Sequence, residues 1–362
     1  MSNNTVLLIR ADAAPRMGTG HVMRCLALAQ AALDEGLDVR MLCRANVGWL
    51  RERLEKERIP LHVLPDAPPA AEDPKALLRQ LRQGGLPEAA GTDTPAWVVL
   101  DGYHFDAACQ KAVMDAGHRL LVIDDYAHLP AYQCHVLLNQ NPGAETLEYG
   151  GSIGRRLLGP KYALLRREFA AARESAVPRV PPAQPENILV TLGGGDFSDA
   201  LGGIGAHMTG SELAGRTIRV IQGAMDAERV RTAFAKCPAR LEILPRVDDM
   251  AALLLDTDLC ITAGGSTCWE LCCLGVPFLT VEVAENQREI CAWLEKNGIA
   301  PRVSAVAVRE RLSGGNTAPD SVVQGLVDGI GALRVVRCMQ NAQAVSGSGP
   351  RARRMLPLGA GQ

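Results

Sequence analysis

Hydrophobic and polar positions along the chain alternate between two patterns. Short apolar runs, of which Val6–Ile9 is the first, are typical of strands that are buried on both faces of a sheet. A longer segment at 21–35 carries apolar residues at helical spacing, and Gly36 marks the end of that helix. This repetition of short strands and longer helices predicts an α/β protein with parallel sheets.

The same alternation continues through the first half of the chain and restarts in the second. In the first half it predicts strands at 39–43, 97–101 and 120–123, and helices at 48–57, 74–82 and 105–116. In the second half it predicts strands at 187–192, 218–221, 259–262 and 276–283. The restart indicates two domains of the same class.

Closely spaced prolines separate the two halves and predict an extended linker, because they suit neither a helix nor a strand. We divide the chain into an α/β domain at 1–169, a linker at 170–186, a second α/β domain at 187–312 and a C-terminal segment at 313–362. The end of that segment, 346–362, is rich in Gly, Pro and Arg, and we expect it to be disordered. The expected architecture is two Rossmann-like domains that face a central cleft, with ligands at the carboxyl ends of the strands.

Composition and charge narrow the choice of partner. With 362 residues, 47% of them hydrophobic and 22% charged, the chain suits two folded domains rather than a disordered protein. Lys and Arg number 38 against 40 Asp and Glu, and this balance argues against a protein dedicated to nucleic acid or to a membrane surface. We therefore expect a small-molecule ligand and a monomeric protein.

The 11 cysteines are scattered and form no Cys-x-x-Cys pair, which argues against a disulfide scaffold and a zinc ribbon. Cys268 and Cys272 stand four residues apart without a histidine nearby, and we interpret them as packing residues. The first residues lack a secretory signal, and no uncharged apolar run reaches about 18 residues. We expect a cytoplasmic protein that uses neither a metal nor a cofactor.

A loop with two glycines and a histidine connects the first strand to its helix. Gly18, Gly20 and His21 allow the backbone to approach a ligand closely, but the loop lacks the third glycine of the dinucleotide-binding fingerprint. At the helix N-terminus the helix dipole disfavours the imidazolium form of His21, so a neutral ring is available as a base. The alternative is a histidine that helps to cap the helix or contacts a phosphate.

Two glycine turns in the second domain predict a diphosphate site. Gly193 and Gly194 follow one strand, and Gly265, Ser266 and Thr267 follow another, so backbone N–H groups and two hydroxyls are available to phosphate oxygens. Glu270 lies one turn further along that helix and suits the hydroxyls of a ribose. The alternative for Glu270 is a solvated helix charge.

Three further side chains are candidates for substrate contact. Tyr103 follows a strand that ends at Asp101, although a tyrosine of the core is the alternative. Asn286 and Gln287 stand at a strand-to-helix turn, where they can hold polar groups of a ligand. The alternative for Asn286 is an N-cap, with Glu289 completing a capping box.

Together these motifs resemble the hydrolases that remove UDP from UDP-2,4-diacetamido-2,4,6-trideoxy-β-L-altropyranose in pseudaminic acid biosynthesis. The resemblance extends from residue 6 to about residue 300 and rests on Arg10–Leu26, Leu100–Tyr103, Ile123–Asp125, Leu137–Asn139, Tyr162–Phe169, Gly193–Asp196 and Glu285–Gln287. It implies a GT-B-like fold and chemistry without a metal. It also implies that His21 is the general base, that Tyr103 and Asn286 contact the substrate, and that Glu270 holds the uridine ribose.

The function implied by this resemblance is hydrolysis of the UDP-linked diacetamido trideoxy sugar to UDP and the free sugar, with water activated by His21. The alternative is a GT-B glycosyltransferase that uses a UDP-amino sugar in surface polysaccharide synthesis. A third possibility, from another class, is a sensor that binds a UDP-sugar without turnover.

Overall fold

The computed structural model describes residues 5–12, 20–44, 48–65, 70–88, 95–176, 184–313 and 326–346. Gly18 and the tail predicted to be disordered beyond residue 346 lie outside these ranges. Among the described residues, no helix is both long enough and apolar enough to cross a membrane.

Seven parallel strands form the sheet of the first domain. They are β1 Val6–Ala11, β2 Asp38–Cys43, β3 Leu61–Val63, β4 Trp97–Asp101, β5 Arg119–Ile123, β6 Tyr132–Asn139 and β7 Gly151–Leu158. Their order across the sheet is β3-β2-β1-β4-β5-β6-β7. The central strands are buried on both faces, as their continuous apolar runs predict.

The helices of this half are α1 Gly20–Asp34, α2 Gly48–Lys56, α3 Pro74–Gln83, α4 Ala107–Asp115 and α5 Arg167–Ser175. Local sequence explains several of their ends. The side chains of Asp73 and Asp106 accept hydrogen bonds from backbone N–H groups of α3 and α4, and Gly36 follows α1 with φ +82°. The predicted helices in this half are therefore confirmed, with shifts of one or two residues at their ends.

The second domain has a sheet of five parallel strands in the order β10-β9-β8-β11-β12. They are β8 Asn187–Thr191, β9 Thr217–Ile221, β10 Arg240–Leu244, β11 Leu259–Ala263 and β12 Phe278–Val281. Its helices are α6 Ser198–His207, α7 Ala227–Ala233, α8 Met250–Leu255, α9 Thr267–Leu274, α10 Arg288–Lys296 and α11 Ala305–Ser313. Two sheets of Rossmann type confirm the predicted fold class.

The connection between the domains differs from the prediction. Helix α5 continues to Ser175, so the first residues of the predicted linker at 170–186 are helical. They contain no proline, and the alanine-rich sequence before Pro178 favours a helix. Phe169 of α5 is buried in the core of the second domain, and the chain therefore crosses between the domains before residue 170.

The C-terminal segment also differs from the prediction. A twelfth helix, α12 Gly331–Ser346, returns to the first domain and packs against α1. Val335, Val336 and Met339 are buried there in the same hydrophobic core as β1. A Cβ on Gly331 would lie 2.3 Å from the carbonyl oxygen of Ala163, so the helix begins in direct contact with the crossing segment. Helix α12 thus completes the first domain.

Candidate active site

The candidate catalytic side chains meet at one edge of the first sheet. Strands β1, β4 and β5 are adjacent and parallel, so their carboxyl ends lie side by side. Asp101 is the last residue of β4, Asp125 follows β5 by two residues, and His21 lies in the first turn of α1. The fold therefore brings together residues that are about a hundred positions apart in sequence.

His21 is held by Asp101. The Nδ1 atom of His21 lies 2.7 Å from Oδ1 of Asp101, whose side chain is fully buried, while that of His21 is 11% exposed. A carboxylate only accepts hydrogen bonds, so this contact places the proton of a neutral imidazole on Nδ1 and the free lone pair on Nε2. The His21 ring is thus oriented for proton transfer at Nε2.

Arg24 connects two carboxylates one turn further along α1. Its guanidinium donates to Asp101 through Nε at 2.7 Å and Nη2 at 2.6 Å, and to Asp125 through Nη1 at 2.6 Å and Nη2 at 3.0 Å. Bidentate pairs of this kind are among the stronger hydrogen bonds in proteins. They fix both oxygens of the Asp101 carboxylate, and Nη2 of Arg24 shares Oδ1 with His21, whose Nδ1 lies 3.1 Å away.

The negative and positive charges of this cluster do not cancel. Burial opposes ionisation of Asp101, but the charge of Arg24 and the hydrogen bonds of Arg24 and His21 outweigh it and hold the pKa of Asp101 well below its usual range. Burial also opposes the charged form of Asp125, and Arg24 lowers its pKa. Burial opposes the charge of Arg24, whose pKa is nevertheless raised by Asp101 and Asp125. Two carboxylates and one guanidinium therefore remain charged, which leaves one negative charge beside His21.

Tyr103 lies beside His21 and not in the core. Its hydroxyl donates to Oδ2 of Asp125 at 2.8 Å, and its ring meets that of His21 edge-on, with centroids 5.4 Å apart. Burial and the neighbouring charge of Asp125 raise the pKa of Tyr103 far above its usual value, so the hydroxyl stays protonated. Asp125 thus positions both Arg24 and Tyr103.

A second buried charge network lies at the end of β1. Asp12 pairs with Arg10, accepts a hydrogen bond from the backbone N–H of Arg44 at 2.7 Å and lies 3.1 Å from Nε2 of His104. Arg44 in turn donates to Glu72 at 2.9 Å. Burial opposes ionisation of Asp12, but the close contact with His104 and the charge of Arg10 lower its pKa. The network fixes the point at which the chain leaves β1 on the way to His21.

In the second domain the two glycine turns lie at the same sheet edge. Gly193 follows β8 with φ +98°, and Gly265 and Ser266 lie between β11 and α9. Strands β8 and β11 are paired in parallel, so both turns open in the same direction. A Cβ on Gly265 would have no atom within 4 Å, so the turn has open space beside it, although the Gly265 N–H itself donates to the carbonyl of Ala263 at 2.8 Å. The side chain of Ser266 makes no capping bond and can contact a ligand.

Glu270 is mostly buried and ion-paired, so the alternative interpretation of it as a solvated helix charge is wrong. Its side chain is 15% exposed, and its Oε1 lies 3.1 Å from Nη2 of Arg166. Burial raises the pKa of Glu270, the charge of Arg166 opposes that change, and Glu168 adds to it. Arg166 precedes α5, so Glu270 is tied to the segment that crosses between the domains.

Asn286 does not cap α10, and the proposed capping box is wrong. Asn286 is exposed within a 3₁₀ turn, Glu285–Gln287, and no side chain caps the helix that begins at Arg288. The side-chain oxygen of Gln287 instead accepts a hydrogen bond from the backbone N–H of Val283 at 3.1 Å. The turn continues into the helix without the extended N-cap residue that a capping box requires. Asn286 is therefore available to a ligand.

Sequence reasoning did not assign Asp101, Arg24 and Asp125 to the site. The signals were the acidic residues at the ends of two strands and the spacing of three between His21 and Arg24, which places both on one face of α1.

Among the described residues, no group of three His, Cys, Asp or Glu side chains is arranged to hold a metal ion.

Comparison with known proteins finds distant relatives, and no family model matches the chain. It is 23% identical over 292 residues to an uncharacterized protein of Methanocaldococcus jannaschii, and 28% identical over 198 residues to the spore coat polysaccharide biosynthesis protein SpsG of Bacillus subtilis. These matches cover 78% and 51% of this chain, and the chain spans 57% of the length of each relative. The UDP-2,4-diacetamido-2,4,6-trideoxy-β-L-altropyranose hydrolase of Campylobacter jejuni is 22% identical over 297 residues, which cover 81% of this chain and 97% of that protein.

Solved structures resemble the whole chain. MurG of Acinetobacter baumannii matches with a TM-score of 0.60 and 17% identity over 93% of this chain and 99% of that one. UGT2 of Phytolacca americana, solved with UDP-2-fluoroglucose and pterostilbene, matches with a TM-score of 0.58 and 13% identity over 94% of this chain and all of that one. The fold is therefore that of the GT-B glycosyltransferases, and the resemblance to the UDP-2,4-diacetamido-2,4,6-trideoxy-β-L-altropyranose hydrolases that the motifs indicate is confirmed.

Proposed function

We propose that this protein hydrolyses a UDP-linked 2,4-diacetamido-2,4,6-trideoxy sugar to UDP and the free sugar. The observation that carries the proposal is the hydrogen bond between His21 and Asp101 at the carboxyl edge of the first sheet. It supplies an oriented base on one side of the cleft, while the glycine turns of the second domain supply an anion site. The similarity to the Campylobacter jejuni hydrolase supports the choice of substrate.

In the proposed reaction, Nε2 of His21 accepts a proton from water. The water oxygen forms a bond to the anomeric carbon as the bond between that carbon and the β-phosphate oxygen breaks, and its electron pair leaves with UDP. The His21 imidazolium then returns its proton to solvent. The products are the free sugar, UDP and one proton, so atoms and charge balance.

The charge of the cluster favours this proton transfer. Asp101 and Asp125 together outweigh Arg24 by one negative charge, and a proton on His21 neutralises the cluster. Asp101 already holds the ring at hydrogen-bond distance, so the orientation of His21 needs no change when it accepts the proton. The N-terminal dipole of α1 opposes the imidazolium, but Asp101 carries a full charge at hydrogen-bond distance.

The leaving UDP carries a negatively charged diphosphate, and this charge must be compensated by the protein. We assign the diphosphate to the N-terminal end of α9, where the hydroxyls of Ser266 and Thr267 and the backbone N–H groups of Gly193 and Gly194 would donate to it. Gly265 contributes room for close approach, because its own N–H donates to the carbonyl of Ala263 at 2.8 Å. Glu270, one turn into the helix, is assigned to the ribose hydroxyls. Gly20, Tyr103, Asn286 and Gln287 are assigned to the sugar side of the cleft.

Glycosyl transfer is the second candidate, because the fold is that of the GT-B glycosyltransferases. The same pair of His21 and Asp101 could deprotonate an acceptor hydroxyl instead of water. Incubating the protein with a panel of UDP-sugars, without any acceptor, distinguishes the two. Hydrolysis predicts equal amounts of UDP and free sugar at every time point. Release of UDP only after an acceptor is added would support transfer and contradict the proposal.

A further inference from the structure

Four of the five tyrosines in the chain contact one another beside His21. We call this the tyrosine cluster, and its members are Tyr103, Tyr126, His128, Tyr132 and Tyr149. The centroid of the Tyr126 ring lies 5.2 Å from that of Tyr103, which in turn contacts His21. The cluster therefore forms a continuous chain of ring contacts that begins at the candidate base.

Tyr126 differs from the other tyrosines of the cluster. Tyr103, Tyr132 and Tyr149 each hold a hydrogen bond to a neighbouring Asp or Asn, and the last two are buried. Tyr126 is 48% exposed, and no hydrogen bond joins its hydroxyl to another described residue. An aromatic ring left in water costs free energy, and its burial by a ligand would recover that cost.

The backbone holds the exposed ring next to the catalytic groups. Tyr126 follows Asp125 directly, and the side chain of Asp125 is fixed by Arg24 and Tyr103. One ring, that of Tyr103, separates Tyr126 from His21. A sugar whose anomeric carbon lies near His21 would therefore extend its ring substituents, and not its nucleotide, toward Tyr126.

We propose that the ring of Tyr126 packs against the apolar substituents of the sugar and selects for them. This inference rests on the proposed function and names the feature of the substrate that the site recognises. In a 2,4-diacetamido-2,4,6-trideoxy sugar C6 is a methyl group, and the two acetamido groups add two acetyl methyl groups. A sugar with a hydroxyl on C6 would bring that hydroxyl against an aromatic face, which offers it only a weak hydrogen-bond acceptor.

The test measures binding in a His21→Asn background, in which the nucleotide sugar persists during titration. Three ligands are titrated by calorimetry: UDP, UDP-N-acetylglucosamine and UDP-2,4-diacetamido-2,4,6-trideoxy-β-L-altropyranose. Tyr126→Ala should weaken binding of the trideoxy compound about tenfold or more, leave UDP unchanged and reduce the discrimination between the two sugars. Tyr126→Phe should retain the affinity for the trideoxy compound and the discrimination between the two sugars, because the ring and not the hydroxyl makes the contact.

Val306→Ala provides a matched control, because Val306 is a large apolar side chain of the second domain that is 53% exposed. It should change none of the three affinities. Equal loss of UDP and of the sugar nucleotides in Tyr126→Ala would place the ring against the nucleotide and overturn the proposal, as would no change at all. If the protein with Tyr126 intact neither binds nor hydrolyses the trideoxy compound, the proposed function itself fails.

Discussion

His21 and Asp101 are 80 positions apart in sequence, and their side chains are joined by a hydrogen bond of 2.7 Å between Nδ1 and Oδ1. The contact links the first turn of α1 to the end of β4 and leaves Nε2 as the basic nitrogen. Arg24 donates to both oxygens of the same carboxylate, so the base, its partner and the counter-charge form one connected unit. Turnover depends on this unit, UDP affinity on the glycine turns of the second domain, and stability on the core of the first domain.

The first prediction concerns His21→Asn, which keeps a polar side chain of similar size but removes the proton acceptor. Turnover should fall by roughly 10²–10⁴-fold, the usual contribution of a general base, while UDP affinity stays nearly unchanged. Single-turnover rates and calorimetric UDP binding on the same preparation measure both. A variant that binds UDP poorly but still turns over at saturation would instead support a phosphate contact.

The second prediction separates Asp101 from Asp125. Asp101→Asn should reduce turnover about 10²-fold or more, because the amide neither fixes the Nδ1–H tautomer nor stabilises the imidazolium. Asp125→Asn also removes one carboxylate from Arg24 but leaves the contact between His21 and Asp101 intact, so it is the matched control and should lose less turnover. Similar losses in the two variants would contradict the positioning role.

The low pKa of Asp101 gives this comparison a pH signature. A carboxyl with a depressed pKa in the folded state contributes stability above its ordinary pKa of about 4 and loses it as the pH falls further. The difference in unfolding free energy between the wild type and Asp101→Asn should therefore be constant at neutral pH and shrink below about pH 4. Chemical denaturation over a pH series measures it, and a difference that grows on acidification would contradict the assignment.

The third prediction concerns recognition of the uridine ribose. Glu270→Ala should weaken UDP binding by about 1.5–3 kcal/mol, the scale of hydrogen bonds to a charged group. Because burial raises the pKa of Glu270, UDP affinity should begin to fall on acidification at a higher pH than for an ordinary glutamate. Arg166→Ala removes the opposing charge and should move this fall to still higher pH. Unchanged UDP affinity in folded Glu270→Ala would exclude the role.

A fourth prediction tests the position of α12. Met339 is fully buried against the first domain, so Met339→Ala should lower the unfolding free energy by about 2–5 kcal/mol. Arg337 lies on the same helix but is exposed, with an ion pair to Glu35, and Arg337→Ala should cost about 1 kcal/mol or less. Equal stability of the two variants in urea denaturation would show that α12 is not part of the core.

Metal independence is the fifth prediction. We expect backbone N–H groups and hydroxyls at the glycine turns to compensate the diphosphate charge, so turnover should survive an excess of EDTA. Loss of activity with EDTA and its restoration by Mg²⁺ or Mn²⁺ would show that the leaving group needs a cation.

Local patterns in the sequence predicted most of the fold. Strands such as β4 were found because a strand buried on both faces is a continuous apolar run. Strand β7 was missed because it lies at the sheet edge, is mostly exposed and contains glycines, so it shows no apolar run. Helix α12 was missed for another reason: its burial depends on a return to the first domain that no local pattern encodes.

The site was predicted only in part for a similar reason. His21 at the start of α1 and Tyr103 just after β4 stand in recognisable positions, and their rings meet in the structure. The partnership of Arg24 with Asp101 and Asp125 depends on the order of β1, β4 and β5 in the sheet. Sequence spacing alone does not determine that order of strands. An arginine three residues after a histidine therefore cannot be recognised as part of the site until the positions of its two carboxylate partners are known.

Hydrolysis in water labelled with oxygen-18, without acceptor, tests the central claim most directly. Attack of His21-activated water on the anomeric carbon predicts one labelled oxygen in the free sugar, measured by mass spectrometry immediately after quenching, and none in UDP. His21→Asn should abolish the labelled product on the same timescale. Label in the β-phosphate of UDP would mean attack at phosphorus, and release of UDP only with an acceptor would mean transfer; either result would contradict the proposed mechanism.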